Sequence, residues 1–320
     1  MVNSKIIGTG HYLPKRILTN FDLEKMVETS DEWITERTGI KERHIVADGE
    51  LTSDLAYNAA VNAINDAKIT PNDINGIIIA TITPDRFCPA TAAIIQKKLG
   101  ITNGCFAMDI SAACSGFVYA LTLVDALIKN KQAKNILIIG VESLSKMVDW
   151  TDRNTCVLFG DGAGAVVVSA TEEENKGVLI SNIYSDGSYS DILKSKGGIS
   201  AGLDDIYLYM EGREVFKLAV DKMYNSVIET LTKINLTPKD VDLLIPHQAN
   251  KRIIDSVVKK LELDESKCYY SVQKHGNTSA ASIPLALSCA RQEGRIKEGD
   301  LICFEAMGAG LTWGSVILRW

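Results

Sequence analysis

Cys114 is the side chain whose position in this sequence best suits nucleophilic chemistry. It follows a strand-like segment, 106–110 (FAMDI), and precedes an apolar helical pattern through Phe117, Leu121 and Val124. A thiol at a helix N-terminus lies at the positive end of the helix dipole, which lowers its pKa and favours the thiolate. We therefore predict that Cys114 is a nucleophile; the alternative is a small buried thiol packed in a strand–helix corner.

Two more polar side chains occupy positions suited to the same reaction. His247 directly follows the buried strand-like run 242–246, and α/β folds place ligand-facing groups at such strand ends. Asn277 lies in a loop of small residues, 274–281 (KHGNTSAA), that enters a second apolar helix. Imidazole and amide N–H groups can donate hydrogen bonds to the oxyanion formed when a thiol attacks a carbonyl. His247 could instead cap the helix that follows it.

The remaining cysteines and histidines predict neither a metal site nor a disulfide framework. The chain has 7 cysteines without a Cys-x-x-Cys pair, and its 4 histidines are too scattered for zinc-ligand spacing. We therefore expect no metal and no cofactor. Free thiols persist in reducing compartments, and the N-terminus lacks a secretory-signal pattern, so we expect a cytoplasmic location. The cysteines without a comparable context are Cys88, Cys105, Cys156, Cys268, Cys289 and Cys303.

Composition and charge narrow the class of protein further. The 320 residues are 46% hydrophobic and 23% charged, which is typical of a globular chain, and no apolar run approaches a membrane span of about 18 residues. The net charge of −6 argues against nucleic-acid binding. Four basic residues nevertheless cluster in segment 251–260, either as a solvated helix face or as a docking patch for an acidic partner.

The elements that must position these side chains alternate along the chain. Continuous apolar runs at 76–81, 135–140 and 242–246 predict strands covered on both faces, and 53–68, 116–129 and 214–233 predict helices. This order indicates an α/β fold, with one linker-like segment at 171–177.

The two halves of the chain resemble each other. Segments 70–79 and 237–246 share a Thr-Pro-x-Asp turn before a strand, at an offset of 167 residues, and 111–116 falls on 278–283 at that offset. Segment 161–169 also resembles 310–318, a glycine-rich loop that enters a strand. We predict duplicated halves, 1–172 with the cysteine and 173–320 with the histidine and asparagine, whose loops meet at one centre.

The glycine loops 160–164 and 308–310 do not predict a dinucleotide site. Each leads into a strand, whereas a dinucleotide-binding fingerprint requires a helix N-terminus. Their glycines instead allow close backbone approach to the centre or to a ligand carbonyl.

Taken together, segments 111–117, 160–164, 245–252 and 274–281 resemble the β-ketoacyl-acyl carrier protein synthase III family of the thiolase-like superfamily. The resemblance covers Ile6 to Trp320 and implies a five-layer αβαβα sandwich and a homodimer. It implies that Cys114 takes an acyl group from acyl-CoA. His247 and Asn277 then stabilise the enolate formed when malonyl-acyl carrier protein loses carbon dioxide, and condensation gives 3-oxoacyl-carrier protein.

The resemblance also assigns binding residues. The backbone N–H groups of Cys114 and Ala309 would form the oxyanion hole; glycine is frequent at the latter position, and alanine keeps the donor if its φ is negative. Cys88, from the partner subunit, and Met307 would line the acyl pocket, and such small or soft walls would admit longer or branched primers. The implied CoA-binding residues are Trp33, Arg37, Arg153, Phe216 and Asn250. The implied carrier-protein patch comprises Lys217, Arg252, Lys259 and Lys260.

Three alternatives remain at this point. A degradative thiolase would need a second cysteine beside the last glycine loop, where this chain has Ala306 and Met307, with Cys303 further upstream. A starter-unit ketosynthase or acyltransferase of secondary metabolism would retain the same three catalytic side chains. A catalytically idle carrier-binding module would not need them.

Overall fold

The computed structural model describes residues 2–320, in which strands and helices alternate as the sequence predicts. The strands are β1 (Asn3–Tyr12), β2 (Arg16–Thr19), β3 (Glu42–Ile45), β4 (Gly76–Ala80), β5 (Phe106–Ile110), β6 (Asn135–Ser143), β7 (Asp161–Thr171), β8 (Gly177–Ser185), β9 (Leu193–Ser195), β10 (Leu208–Met210), β11 (Leu243–Pro246), β12 (Leu301–Gly308) and β13 (Thr312–Arg319). The helices are α1 (Asn20–Leu23), α2 (Asp31–Thr38), α3 (Thr52–Asp66), α4 (Thr91–Lys98), α5 (Gly116–Lys129), α6 (Gly212–Thr232), α7 (Lys251–Lys260), α8 (Val272–His275) and α9 (Ser282–Gln292).

Two main sheets have corresponding strand orders. The first is ordered β1-β7-β6-β4-β5 and the second β8-β13-β12-β11, so each strand of the second sheet has a counterpart in the first. The counterpart of β5 is reduced to a single parallel bridge between Leu244 and Cys268. In both sheets the inner strands that precede the predicted site residues are parallel neighbours, which brings their carboxyl ends to one edge.

The repeat extends to the turns, although its offset is not constant. The Thr-Pro-x-Asp turns form matching 3₁₀ turns, Pro71–Asp73 and Pro238–Asp240, each with a capping box, at the predicted offset of 167 residues. The 3₁₀ turns before α5 and α9 are Ala113–Ser115 and Ser279–Ala281, which are instead offset by 166 residues. The structural counterpart of Cys114 is therefore Ala280, one residue earlier than the predicted alignment gives.

Five layers follow from the way the helices cover the sheets. Helices α3 and α4 pack on the outer face of the first sheet, α6 and α7 cover the outer face of the second, and α5 and α9 lie between the two sheets. The central layer is tightly packed, with the Phe117 and Phe304 rings in edge-to-face contact at 5.9 Å between centroids. The predicted five-layer αβαβα sandwich is confirmed.

Two details differ from the sequence predictions or complete them. Segment 160–164 is not a loop, because β7 already begins at Asp161 and pairs with β6 and β1 along its length. Its glycines still serve close approach: a Cβ on Gly160 would lie 2.5 Å from the carbonyl oxygen of His275. All 7 cysteines are unpaired. In the described chain, no helix has the length and apolar character needed to cross a membrane.

Candidate active site

The predicted site residues come together where the strands of both sheets end. Cys114 follows β5 of the first sheet, whereas His247 follows β11 and Ala309 follows β12 of the second. Asn277 lies in the loop between α8 and the turn that enters α9. The carboxyl ends of the two sheets therefore face one centre, which is where open α/β sheets place their ligands.

Cys114 lies in a tight 3₁₀ turn rather than in the first turn of α5. The preceding residue, Ala113, has a left-handed φ of 45°, a conformation that costs a residue with a Cβ roughly 1 kcal/mol or more. The end of β12 packs directly on this turn, since a Cβ on Gly308 would lie 2.6 Å from the Cys114 nitrogen. Glycine at 308 therefore lets the second sheet contact the nucleophile's backbone.

Burial changes the acidity of Cys114 in the direction opposite to the sequence prediction. The cavity leaves the residue partly accessible, but dense protein around the sulfur disfavours the thiolate, and the nearby Glu142 carboxylate repels it. Together these effects raise the pKa of Cys114 to about 12. The predicted lowering by the helix dipole is therefore wrong, and the thiol must lose its proton during the reaction.

His247 is held as a neutral imidazole. Its side chain is buried, and burial lowers its pKa to about 3. Nδ1 lies 2.7 Å from the Ser282 hydroxyl, which already accepts a hydrogen bond from the Gln248 backbone N–H at 3.3 Å. When that hydroxyl donates to Nδ1, the single imidazole proton is on Nε2 and is available as a hydrogen-bond donor. His247 does not cap α7, because the N-cap is Asn250.

Asn277 is fixed so that its amide nitrogen stays available. Its Oδ1 accepts a hydrogen bond from the Ser279 backbone N–H at 2.8 Å, which assigns the other amide atom as the NH₂ group. Its backbone N–H donates to the Leu158 carbonyl at 2.8 Å, and its carbonyl accepts from Gly160 at 3.0 Å. The side chain thus presents a donor whose orientation is set by two separate segments.

One apolar cavity of about 880 Å³, including its open mouth, contains all three predicted catalytic side chains. Its polar lining groups are few beside its apolar wall, as expected of a small-molecule site. The lining residues are Cys114, His247, Asn277, Ser279, Asn250 and Ala309, together with apolar side chains that include Ile82, Phe216, Met223 and Met307.

The two predicted oxyanion-hole donors are both compatible with that role. Ala309 lies on the cavity wall and does not have a positive φ, so the departure from glycine keeps its N–H. Among the described residues, neither the Cys114 nor the Ala309 backbone N–H donates a hydrogen bond to another backbone group. Both donors therefore remain available to a ligand oxygen.

The predicted CoA-binding residues lie at and outside the cavity mouth. The guanidinium carbons of Arg153 and Arg37 lie 4.9 and 5.9 Å from the centroid of the Trp33 ring. Asn250 links this group to the cavity, since its Nδ2 donates to the Arg37 carbonyl at 3.1 Å. A base between Trp33 and Arg153 would need a separation of about 7 Å, so Arg153 must move to admit it.

Phe216 and the predicted docking residues lie beside the same mouth. Phe216 lines the cavity, and the Arg252 guanidinium lies 5.7 Å from its ring centroid. Lys217 and Lys259 are exposed, whereas Lys260 pairs with Asp221 at 2.5 Å. Helix α7 buries its apolar face and presents its basic residues to solvent, so part of the predicted patch is a free basic surface.

The two predicted acyl-pocket residues are separated within the chain. Met307 is buried and lines the cavity. Cys88 is exposed and lines a neighbouring cavity on the far side of Ala113 and Ala309. Cys303, the remaining candidate for a thiolase-type second cysteine, is buried beneath α6 and does not line the site.

The sequence analysis missed three polar residues of the site. Glu142, at the end of β6, is fully buried beside Cys114, and Ser279 and Ser282 contact the catalytic groups from the turn before α9. A signal existed for Glu142: a carboxylate that follows the apolar run 135–141 at the carboxyl end of a buried strand needs a special environment.

Comparison with known proteins agrees with this geometry. The family model described as 3-oxoacyl-[acyl-carrier-protein (ACP)] synthase III matches residues 108–187, and its C-terminal counterpart matches residues 231–320. The β-ketoacyl-[acyl-carrier-protein] synthase III of Wolbachia pipientis wMel is 56% identical over 321 residues, which is 100% of each chain. The chain belongs to the β-ketoacyl-[acyl-carrier-protein] synthase III family. Membership makes it a condensing acyltransferase of fatty-acid synthesis.

Solved structures of synthase III relatives show the same fold. The 3-oxoacyl-[acyl-carrier-protein] synthase III of Aquifex aeolicus superposes with a TM-score of 0.94 at 51% identity, covering 99% of this chain and 100% of the other. The priming β-ketosynthase of the R1128 polyketide pathway also gives a TM-score of 0.94, at 30% identity, covering 99% and 96%. The thiolase-like α/β fold predicted from the sequence is thereby confirmed.

Proposed function

We propose that Cys114 accepts an acyl group from acyl-CoA and that the acyl enzyme then condenses with malonyl-acyl carrier protein. The observation that carries this proposal is the convergence of Cys114, His247 and Asn277, from three separate elements, on one apolar cavity. The products are 3-oxoacyl-carrier protein, carbon dioxide and CoA. No cofactor is assigned, because hydrogen-bond donors supply the electrophilic assistance that the reaction requires.

In the first step, the Cys114 sulfur attacks the thioester carbonyl of acyl-CoA. The backbone N–H groups of Cys114 and Ala309 stabilise the oxyanion of the tetrahedral intermediate. Support comes from the position of both N–H groups beside the cavity and from the absence of competing backbone acceptors in residues 2–320. CoA then leaves, and the acyl group stays on the enzyme as a thioester.

In the second step, His247 and Asn277 bind the thioester oxygen of the malonyl group. Two neutral N–H donors in a dry cavity stabilise the enolate that forms as carbon dioxide departs. A neutral His247 suits this role because it offers a donor that needs no proton from solution. The enolate carbon then attacks the acyl-Cys114 carbonyl and returns the thiol.

Substrate delivery uses the residues around the mouth. We assign CoA binding to Trp33, Arg37, Arg153, Phe216 and Asn250, of which Asn250 and Phe216 would contact the pantetheine arm. We assign carrier-protein docking to Lys217, Arg252, Lys259 and Lys260, a basic group on an acidic chain. Complementary charge of this kind mainly raises the association rate.

The assembly and primer range are further parts of the proposal. We propose a homodimer in which Cys88 of one subunit reaches the acyl cavity of the other, because Cys88 is exposed and does not line the cavity of its own chain. The last strand of the first sheet ends at Thr171 and the second sheet begins at Gly177, which supports halves at 1–172 and 173–320. Seven unpaired thiols support a cytoplasmic location.

A starter-unit ketosynthase of secondary metabolism is the second candidate. It is favoured by the TM-score of 0.94 to the R1128 priming ketosynthase, although the identity of 30% is lower than the 51% to the Aquifex synthase.

A condensation assay tests the proposal. Purified protein is mixed with malonyl-carrier protein and, in separate reactions, acetyl-, isobutyryl- or octanoyl-CoA, and 3-oxoacyl-carrier protein is measured. We expect product from short or branched primers in wild type and none from Cys114→Ala. Product from the variant at the wild-type rate would overturn the mechanism, and a strict acetyl preference would overturn only the broad primer range.

A further inference from the structure

Glu142 is a buried carboxyl group that the two proposed steps do not use. Its side chain has 0% exposure and accepts hydrogen bonds from the Thr83 hydroxyl at 2.6 Å, the Thr81 hydroxyl at 3.2 Å and the Ile82 backbone N–H at 3.1 Å. In residues 2–320 no lysine or arginine forms an ion pair with it. Burial outweighs these hydrogen bonds and raises the pKa of Glu142 to about 7, where a carboxyl group can both accept and release a proton at neutral pH.

Ser279 lies between this carboxyl group and the nucleophile. Its side-chain hydroxyl lowers the pKa of both Cys114 and Glu142, so it interacts with both groups. The hydroxyl is buried and makes no hydrogen bond of good geometry to any described residue. Its backbone φ is 50°, a left-handed conformation that serine adopts only where the surrounding structure holds it. The conformation keeps the side chain in the cavity beside Cys114.

His247 is poorly suited to take the proton of Cys114. Its pKa of about 3 makes the imidazole a weak base, and Nδ1 is occupied by Ser282. Its Nε2–H is needed as a donor in the second step. The titratable groups that face the thiol are therefore Glu142, at the end of β6, and His247, after β11; the turns around Ser279 and Thr81 contribute only neutral groups.

We propose that Glu142 accepts the proton of Cys114 through the Ser279 hydroxyl during acylation, and returns it when the acyl group leaves. This inference rests on the proposed acylation of Cys114. It makes Glu142 and Ser279 a proton relay for the nucleophile, separate from the donors that stabilise the enolate.

The relay balances over the two steps. In acylation the Cys114 proton passes to the Ser279 oxygen while the Ser279 proton passes to the Glu142 carboxylate. The Cys114 sulfur forms the new thioester, and CoA leaves as a thiolate that takes a proton from water. In condensation, carbon dioxide leaves malonyl-carrier protein, the enolate displaces the Cys114 thiolate, and the proton held by Glu142 returns through Ser279 to the sulfur.

Two roles for Glu142 predict opposite effects of its removal. If Glu142 acted only through its charge, Glu142→Gln would remove a repulsion that raises the pKa of Cys114, and acylation would become faster. If it accepts the proton, the same substitution makes acylation slower, by about 100-fold for loss of one general base. The sign of the change therefore separates the relay from simple electrostatics.

The test is single-turnover acylation of Cys114 by acetyl-CoA across a pH series on both sides of neutrality, followed by intact-protein mass spectrometry. We expect the wild-type rate to rise with the ionisation of a group of pKa about 7, and this rise to disappear in both Glu142→Gln and Ser279→Ala. Glu305→Gln is the matched control, because Glu305 is also fully buried with a raised pKa but does not line the cavity. Thermal melting checks that each variant folds.

The outcomes separate the two proposals. Wild-type protein that gains no acyl group on Cys114 would overturn the proposed function. Acylated wild type, together with a Glu142→Gln or Ser279→Ala variant of unchanged rate and pH profile, would overturn the relay alone. An equal loss in Glu305→Gln would show a structural effect of buried carboxyl groups, which also contradicts the relay. If Glu142→Gln does not fold, Ser279→Ala decides the question by itself.

Discussion

The three catalytic side chains do different work, although they share one cavity. Cys114 forms and breaks covalent bonds, whereas His247 and Asn277 each present a neutral N–H donor fixed by a neighbouring segment. Such fixed donors need no reorganisation when the enolate forms, which is the source of their catalytic effect. The burial that makes the cavity dry also makes the thiol hard to ionise.

Replacing either donor should slow the second step while sparing the first. We expect His247→Ala and Asn277→Ala each to lower the condensation rate by about 100- to 1,000-fold, because one oxyanion-type donor is lost. Acylation of Cys114 should stay near the wild-type rate. Quenched-flow assays of acyl-enzyme formation and of product formation measure the two steps, with His11→Ala as a control outside the cavity. Equal losses in both steps would argue against separate roles.

The close approach of β12 to the nucleophile makes Gly308 a sensitive position. An alanine Cβ there would lie 2.6 Å from the Cys114 backbone nitrogen, so either the turn or the strand must shift. We expect Gly308→Ala to slow acylation by about 100-fold through misplacement of the thiol. Gly187→Ala is the control, since a Cβ at that position meets no atom within 4 Å. An unaffected acylation rate in Gly308→Ala would show that the contact is not needed.

The residue types were predictable where the side chain follows a recognisable strand. Cys114, His247 and Asn277 lie at strand ends or helix entries, and the structure brings them to one cavity. Glu142 and Ser279 were missed because their importance depends on burial between two halves of the chain, which no local pattern reports. The pKa of Cys114 was predicted in the wrong direction for the same reason.

The strands and helices place these residues with little irregular structure. Helix α5 runs from Gly116 to Lys129 as the apolar pattern predicts, and α3 and α6 begin and end within 2 residues of the predicted bounds. The start of β7 was misassigned because glycine-rich segments are normally read as loops. Here small residues let β7 and β6 pack against the backbone of the turn that enters α9.

Strand β12 contains a second buried carboxyl group that should make stability depend on pH. Both oxygens of Glu305 lack hydrogen-bond partners within residues 2–320, and burial raises its pKa to about 8 from 4.5. As pH rises from 4.5 to 8, the unfolded chain releases this proton before the folded chain does, so stability falls across this window and levels off above it.

Replacing Glu305 should remove this loss of stability. We expect the melting temperature of Glu305→Gln to rise relative to wild type as pH increases from 4.5 to 8, with the difference constant at higher pH. The exposed Glu174→Gln is the control and should follow wild type throughout. Parallel melting curves for Glu305→Gln and wild type at every pH would contradict a raised pKa for this group.

At the scale of the whole molecule, the duplicated architecture explains why the site needs both halves. The first sheet supplies Cys114, and the second supplies His247 and Ala309, so neither sheet alone carries the full set of donors and nucleophile. The repeated Thr-Pro-x-Asp turns were detectable because local turn chemistry survives in both halves. The change of offset to 166 residues before α9 was not detectable, since small residues align equally well in either register.

The basic surface beside the cavity should affect the carrier protein more than CoA. Lys259 is exposed on α7 and forms no ion pair within residues 2–320. We expect Lys259→Glu to raise KM for malonyl-carrier protein several-fold, less so at high salt, without changing the rate of acylation by acetyl-CoA. Lys131→Glu, a charge reversal after the far end of α5, serves as the control. A salt-independent loss of both reactions would contradict docking through this surface.

The central claim is that Cys114 carries the acyl group. The most direct measurement is intact-protein and peptide mass spectrometry after incubation with acetyl-CoA in the absence of malonyl-carrier protein. We predict one acetyl adduct on the peptide that contains Cys114, absent in Cys114→Ala and removed from wild type when malonyl-carrier protein is added. Equal labelling of wild type and Cys114→Ala, or an adduct that malonyl-carrier protein does not discharge, would contradict the account.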